Sequence, residues 1–590
     1  MTGYITWGLI VNVVFLGFHP AWASFYPAVV QSLGINLVIF IVPAVPFLGT
    51  LKNRDDLPYL ELPGAMLISF ALLIGVLGLF RLTGRPLTPN AAWNGTCVAT
   101  NLMLLISSYF GVRGKWRLSL TGESWRLFFF LFFASYGLYF YGAIYVVPEQ
   151  EDHDLEVQAT GYGLLTRFEP LLLTDRNTIY YFAHPPLLHY YAAASFLYYG
   201  QLEDLEYYDA ASQRALAVEQ GRSFKPPMAG FRRGENSDSK YIRQEIVGVK
   251  EDDYVIVPPL PDGSDRIPVR QLDLDSIYEH YTQTPHKIET RTPNIFLASL
   301  TVALLGCWAA KLTGPWGVGL FVAAAYATSP EVFVRSSYGG YFAIGNFALL
   351  LMLMATARQN SSNEVKQGLG GFAAGWFAAW SDHKLVLFPL ALFLWQALKT
   401  GSQWNRNVVK AAFQPVVTGF AVGTVLFWVY GSLINPSVFW LDHVRTHLFD
   451  RMLHYNPLGY SGYPNVFALW IEFWQHTGYL LLPLGLLSLY LALISSKDRS
   501  TSGRLPGMAG LWSVYILISA LVFSWADWRM TKHLMLLMPV LYLAPLLWTA
   551  EYPRRLVFVS AIFLLLLTWN IYTVLEIANN FAAFHVSPDW

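Results

Sequence analysis

Charge is what this sequence has least of. Of its 590 residues, 39 are Lys or Arg and 39 are Asp or Glu, which makes 13% charged, about half the fraction of a soluble globular domain. A chain this poor in charge must expose apolar surface to something other than water, and a hydrophobic content of 54% points to a bilayer. The mean hydropathy of +0.38 agrees. With a formal net charge of zero and no dense Lys/Arg tract, the electrostatic footprint that DNA or RNA requires is missing, which excludes nucleic acid as a partner. Cysteine is nearly absent too. Cys97 and Cys307 both lie within apolar stretches, so neither a disulfide framework nor a Cys-rich metal centre is available. There is no GxxxxGK[ST] loop for nucleotide hydrolysis and no HExxH glutamate for a metalloprotease. Heptads, short solenoid periods and Gln/Asn-rich tracts are missing as well. No charged segment followed by a short apolar core and a small-residue cleavage site opens the chain, so the first hydrophobic segment is expected to be retained.

What the sequence has in quantity is apolar runs of membrane-spanning length, about 17 to 25 residues. They fall near 4-18, 30-51, 62-82, 92-112 and 124-147, and again near 293-312, 316-333, 340-357, 369-381, 385-398, 410-433, 477-495, 508-525, 533-550 and 555-576. The expectation is an all-α polytopic membrane protein of about 15 segments, in which 369-381 and 385-398 are short enough to form a hairpin. Between the two sets, the chain turns polar, with acidic runs, Pro pairs and strand-like pieces at Tyr241 to Val249 and Tyr254 to Val257. This predicts a mixed α/β insert. The resulting divisions are 1-123, the N-terminal helices; 124-199, a helix with an acidic outer loop; 200-292, the soluble insert; 293-433, the membrane core; 434-476, a second outer loop; and 477-590, the C-terminal helices.

Orientation follows from the basic residues, which are enriched in cytoplasmic loops. Arg113, Lys115, Arg117 and Arg126 precede the fifth segment, and Arg358, Lys366, Lys399, Arg406, Lys410, Lys497, Arg499, Arg504, Arg554 and Arg555 fall in alternate later loops. The insert and the 434-476 loop are therefore expected outside. All 13 histidines fall in or beside segments on that same side.

Two outer-face segments draw attention. The first is Glu149-Gln150-Glu151-Asp152-His153-Asp154-Leu155-Glu156. Carboxylates crowded at a membrane exit raise one another's pKa, which suits a general base or a cation site; a solvated acidic cap is the plainer reading. The second is Tyr180-Tyr181-Phe182-Ala183-His184-Pro185-Pro186-Leu187. Its prolines cannot sit inside a helix, so they present His184 at the start of the next apolar helix. There, imidazolium and helix N-terminus together can hold a phosphate, or the histidine is simply interfacial.

These two segments, followed by Ser329-Pro330-Glu331-Val332-Phe333-Val334-Arg335 and by Gly375-Trp376-Phe377-Ala378-Ala379-Trp380-Ser381-Asp382-His383-Lys384, resemble the GT-C glycosyltransferases. Within them, the branch of protein O-mannosyltransferases and the lipid A aminoarabinose transferase is the most similar. The resemblance covers about 124 to 550 and lies in the order and common membrane side of short motifs. It implies an inverting transfer of a sugar from a polyprenyl-phosphate donor to an acceptor hydroxyl on a protein, lipid or polysaccharide. A bacterial inner membrane with a periplasmic active site is the expected setting.

The resemblance also implies a catalytic base among Glu151, Asp152, Asp154 and Glu156, with Asp152 or Asp154 foremost. Donor phosphate contacts are expected from His184, Arg335, Lys384, Arg529, Lys532 and His533. Tyr180, Tyr181, Tyr338, Asp382 and His383 are expected to line the sugar or acceptor site. The chain departs from the family in four ways. His184 replaces a lysine, the acidic pair is spread over four positions, Ser336-Ser337-Tyr338-Gly339-Gly340 stands where an acid often follows the Arg motif, and residues 1-123 and 200-290 are additions.

Charge at membrane depth is costly and so is read as functional by default, although snorkelling Lys and Arg anchors provide an alternative. In the 434-476 loop, His443, His447, Asp450 and His454 share one face of an amphipathic helix whose other positions are apolar. That spacing suits either a divalent metal, the one cofactor for which the sequence offers a place, or a polar face. Gly368-x-Gly370 and Gly371-x-x-x-Gly375 read as helix packing. Two other classes compete with the enzyme. One is a catalytically inactive scaffold whose insert docks a protein partner. The other is a transporter, for which the internal repeats and broken midplane helices are missing.

Overall fold

The structure is a computed structural model that describes residues 2–20, 26–44, 61–83, 88–109, 123–148, 154, 156–167, 182, 184–200, 254–256, 266–268, 287–357, 364–399, 413–450, 466–495, 504–526, 531–549 and 553–580. It is an all-α polytopic membrane protein. Each apolar run expected from the sequence contains a helix, because an uninterrupted apolar stretch in lipid satisfies its backbone polar groups only by helical hydrogen bonding. Among the described residues, seven helices are long and apolar enough to cross a membrane, or up to nine if each of two bent pairs counts as one span. Several other runs hold helices shorter than a span alone requires. Gly8–Gly17, Ala28–Ala44, Tyr341–Ala357 and His383–Leu398 are such pieces. The break at Thr328 to Ser329 bends Trp316–Ala327 from Pro330–Ser336 by 69°.

The Lys287–Thr313 helix is central. It packs against Glu123–Tyr141, Leu187–Tyr199, Trp316–Ala327 and Tyr341–Ala357, and 83% of its apolar window is buried, against 22% for Arg554–Asn579 at the rim. A helix buried all round needs every backbone group satisfied internally, and Pro293 breaks that pattern. Lacking an N–H, it leaves the Glu289 carbonyl without its helical donor. The Ser195 hydroxyl supplies one at 2.7 Å.

Glycines let Glu364–Ser381 and Pro415–Ile434 approach backbone to backbone. A Cβ on Gly375 would collide with the Val416 carbonyl, and one on Gly419 with that of Phe372, which is how small residues work in membrane interfaces. The expected hairpin of 369-381 and 385-398 is opened instead. Glu364–Ser381 packs mainly on Pro415–Ile434, and Leu387–Lys399 on Arg504–Trp525, with Asp382 and a 3-10 turn between them.

In the insert, Tyr254–Ile256 pairs antiparallel with Arg266–Pro268 in the register Val255↔Ile267, in line with the strand expected at Tyr254 to Val257. The piece at Tyr241 to Val249 lies outside the described residues. The insert gives way to helix at Lys287, ahead of the expected 293.

Candidate active site

The Glu123–Tyr141 helix ends in a π-helical turn, Gly142–Val146, where the Val147 N–H reaches the Gly142 carbonyl at 2.8 Å. A helix C-terminus leaves carbonyls unpaired, and a buried cation from a neighbouring helix takes them. Arg291 Nη1 donates to the carbonyls of Ala143 and Val147 at 2.7 and 2.8 Å, and Nη2 to that of Pro148 at 2.6 Å. The same guanidinium pairs with Asp154, with Nε at 3.1 Å from Oδ1 and Nη2 at 2.5 Å from Oδ2. The Gly339 N–H adds a bond to Oδ1 at 2.6 Å, and a Cβ on Gly339 would strike Thr290 and Asp154. Asp154 is thus 1% exposed and engaged on both oxygens. Asp154, expected among the candidate bases, thus sits against Arg291 and the Gly339 amide.

Glu156, at the start of the Glu156–Arg167 helix, stands differently. Its side chain is 14% exposed. Tyr341 donates its hydroxyl to Glu156 Oε1 and contacts His189 Nε2 at 2.6 Å. With Tyr341 donating to the carboxylate, its oxygen accepts from a neutral His189 carrying the proton on Nε2. Burial pushes the His189 pKa down to about 3, which keeps that form. The Leu187–Tyr199 helix that carries His189 has 13 residues, about 20 Å of rise and short of a span.

His184 sits in the bend before Pro185 and Pro186, and Pro186 caps the same short helix. Its ring stacks on Tyr341 at 3.9 Å and lies 5.6 Å from that of His383. Asp382 is fully buried at the head of the 3-10 turn His383–Val386. Asp382 Oδ1 accepts the Lys384 N–H at 2.9 Å, and Oδ2 meets Lys384 Nζ at 3.2 Å. Glu156, His184, Tyr341, Asp382, His383 and Lys384, far apart in sequence, are therefore gathered into one cluster.

A second cluster adjoins it across Phe342, whose ring lies 5.6 Å from both Lys384 Nζ and Arg335 Cζ. Arg335 is wholly buried and pairs with Glu331 one turn back at 3.0 Å, while its Nη1 donates to Tyr338 Oη at 3.0 Å. His476 Nδ1 lies 2.6 Å from Glu331 Oε1, and the Thr531 hydroxyl lies at 3.4 Å. Burial pushes the Tyr338 pKa up to about 12 against the pull of Arg335, so the phenol stays protonated. Arg335, expected at the donor phosphate, meets Glu331 and Tyr338, and Tyr338, expected to line the sugar or acceptor site, is fully buried. Lys532 and His533 are buried beside Thr531, in the short helix Thr531–Leu534.

The metal face expected around His443 lies only partly within the described residues. His443 lies in Trp440–Asp450, an 11-residue π-helix. His443 itself is 2% exposed, holds the Phe182 carbonyl through Nδ1 at 3.0 Å and meets the His383 ring edge-on at 5.7 Å. The side chains of His447 and Asp450 lie outside the described residues, as do Glu151, Asp152, Tyr180, Tyr181, His454, Asp527 and Arg529. Arg291, Tyr341, His189 and His476 were not singled out from the sequence. Only the common membrane side of the histidines hinted at two of them.

No family model matches the chain, and no curated protein matches it. Among solved structures, the crystal structure of ArnT from Cupriavidus metallidurans bound to undecaprenyl phosphate overlaps 72% of this chain at 13% identity with a TM-score of 0.43. The match spans 59% of that protein's length. An overlap of this extent identifies neither family nor activity.

Proposed function

We propose that the protein is a membrane glycosyltransferase that moves a sugar from a polyprenyl-phosphate donor to an acceptor hydroxyl, with inversion, at a site on the periplasmic face of a bacterial inner membrane. The observation that carries this reading is the gathering of one partly exposed carboxylate, Glu156, with His184, His383 and Lys384 in a single buried cluster. The motif order that resembles the GT-C branch runs through the same residues.

In this reading, Glu156 takes the acceptor proton. Tyr341 holds the carboxylate and His189 holds Tyr341, so the base is oriented before substrate arrives. His184 and Lys384 face the donor phosphate, where preorganised positive charge stabilises the leaving group as the glycosidic bond breaks. Arg335 acts at one remove: its pair with Glu331 fixes the turn at 337-340 that leads into Tyr341.

The test is transfer of a radiolabelled sugar from a polyprenyl phosphate by the purified protein in lipid nanodiscs, with wild type compared with Glu156→Gln. Transfer that vanishes in the folded variant supports the reading. Full transfer by Glu156→Gln removes Glu156 as the base, and no transfer by wild type from any polyprenyl-phosphate sugar overturns the function.

A further inference from the structure

His184, Asp382 and His383 each offer a ligand atom, and the three atoms lie within 4.8 Å of one another. Asp382 is fully buried, and the two histidines are partly buried. The carboxylate is held by its own turn. Oδ1 accepts the Lys384 N–H and lies 3.9 Å from His383 Nδ1, while Oδ2 is neutralised by Lys384 Nζ at 3.2 Å. One oxygen therefore faces the histidine beside it, and the other keeps a counter-ion. His443, anchored on the Phe182 carbonyl, packs edge-on against the His383 ring and limits its rotation.

We propose that these three side chains bind a divalent transition metal, with Zn²⁺ the best fit. Two imidazoles and one carboxylate suit Zn²⁺ or its first-row neighbours, whereas Mg²⁺ and Ca²⁺ prefer oxygen-only shells. Ligand bonds of about 2.0–2.2 Å place the donor atoms of a tetrahedral ion roughly 3.4 Å apart, so the trio closes inward on binding by ring and carboxylate rotation. Asp382 stands between the ion and the Lys384 ammonium and screens the two cations from each other. Three protein ligands leave one position open, as in catalytic rather than structural zinc sites.

A phosphate oxygen fills that position, because a divalent ion and Lys384, less the Asp382 charge, leave two positive charges, which match the dianionic polyprenyl phosphate released when the glycosidic bond of the monoanionic donor breaks. The metal site rests on side-chain geometry alone. Only its fourth ligand depends on the glycosyl-transfer reading.

The experiment uses the tag-free full chain in detergent, stripped with EDTA and then titrated with Zn²⁺ or Co²⁺. Elemental mass spectrometry counts the ions, and visible absorption reports the Co²⁺ ligands. One ion per chain is expected. His184→Gln and His383→Gln should each weaken Zn²⁺ binding by more than the roughly 10–100-fold loss that follows removal of an outer-shell partner, and His19→Gln should leave it unchanged. Inorganic phosphate should shift the Co²⁺ bands. The absence of a stoichiometric ion at saturating Zn²⁺, or equal binding by wild type and the two variants, overturns the site.

Should the variants misfold, zinc-edge X-ray absorption on wild type decides the matter: a shell with two imidazoles supports the site, and one without imidazole overturns it. Cobalt bands unmoved by phosphate, or undiminished sugar transfer by the metal-free protein, overturn phosphate as the fourth ligand and leave the glycosyl-transfer reading standing. A bound ion with no transfer by the loaded protein supports the site and counts against the glycosyl-transfer reading instead.

Discussion

Asp154 and Glu156 stand almost side by side in one acidic run, yet their surroundings differ. Asp154 is sealed by Arg291 and the Gly339 amide and serves the junction between helices. Glu156 keeps partial exposure and meets Tyr341 and His189. A crowded run of carboxylates is therefore not one site. Each acid is sealed in the interior or left partly exposed according to which cation or hydroxyl the fold brings to it.

The comparison breaks most directly at Arg291. Arg291→Ala leaves the buried Asp154 charge and three helix-end carbonyls without their partner, and losing one member of a buried pair costs about 3–5 kcal/mol. Thermal unfolding in detergent should show a large loss of stability. A melting point equal to that of wild type would mean that Asp154 is no anchor.

Glu156→Gln should do the reverse, lowering sugar transfer about 100-fold or more while the melting point stays near that of wild type. Parallel loss of stability and activity would place Glu156 in the same class as Asp154.

A smaller effect is expected at Gly339, which is pressed between Thr290 and Asp154. Gly339→Ala should cost about 1–3 kcal/mol through overpacking, measurable as a lower unfolding temperature. No change would show that the turn has room to yield.

The smallest and most conditional effect is on pH. His189 is held neutral, with a pKa near 3 in the folded chain, whereas an unfolded histidine titrates near 6.5. Between those values, the unfolded state binds the extra proton, so stability rises with pH across the window and falls on acidification. In His189→Asn, the dependence of the melting point on pH between about 6.5 and 3 should be shallower. An identical slope would rule out His189 as a contributor.

The apolar runs were legible because a segment in lipid has few ways to satisfy its backbone, so length and hydropathy alone locate the helices. Gly371-x-x-x-Gly375 was legible as packing for a similar reason: no side chain fits where Gly375 meets Val416. His184, Asp382, His383 and Lys384 were legible as charge and imidazole at costly depth. Arg291 was not, because it sits in the first turns of a long helix where a basic residue looks like an interfacial anchor. Tyr341 and His189 were hidden among the many aromatic and histidine residues, since only a long-range contact distinguishes a hydrogen-bonded phenol from a packed one.

The sequence by itself determined the solvent and the helical class, because these follow from hydropathy and the cost of leaving backbone groups unpaired in lipid. Which carboxylate pairs with Arg291, which stays partly exposed, and which histidines meet Asp382 were decided only by the tertiary structure. Those outcomes depend on contacts between helices far apart in the chain, and no local pattern of residues specifies them.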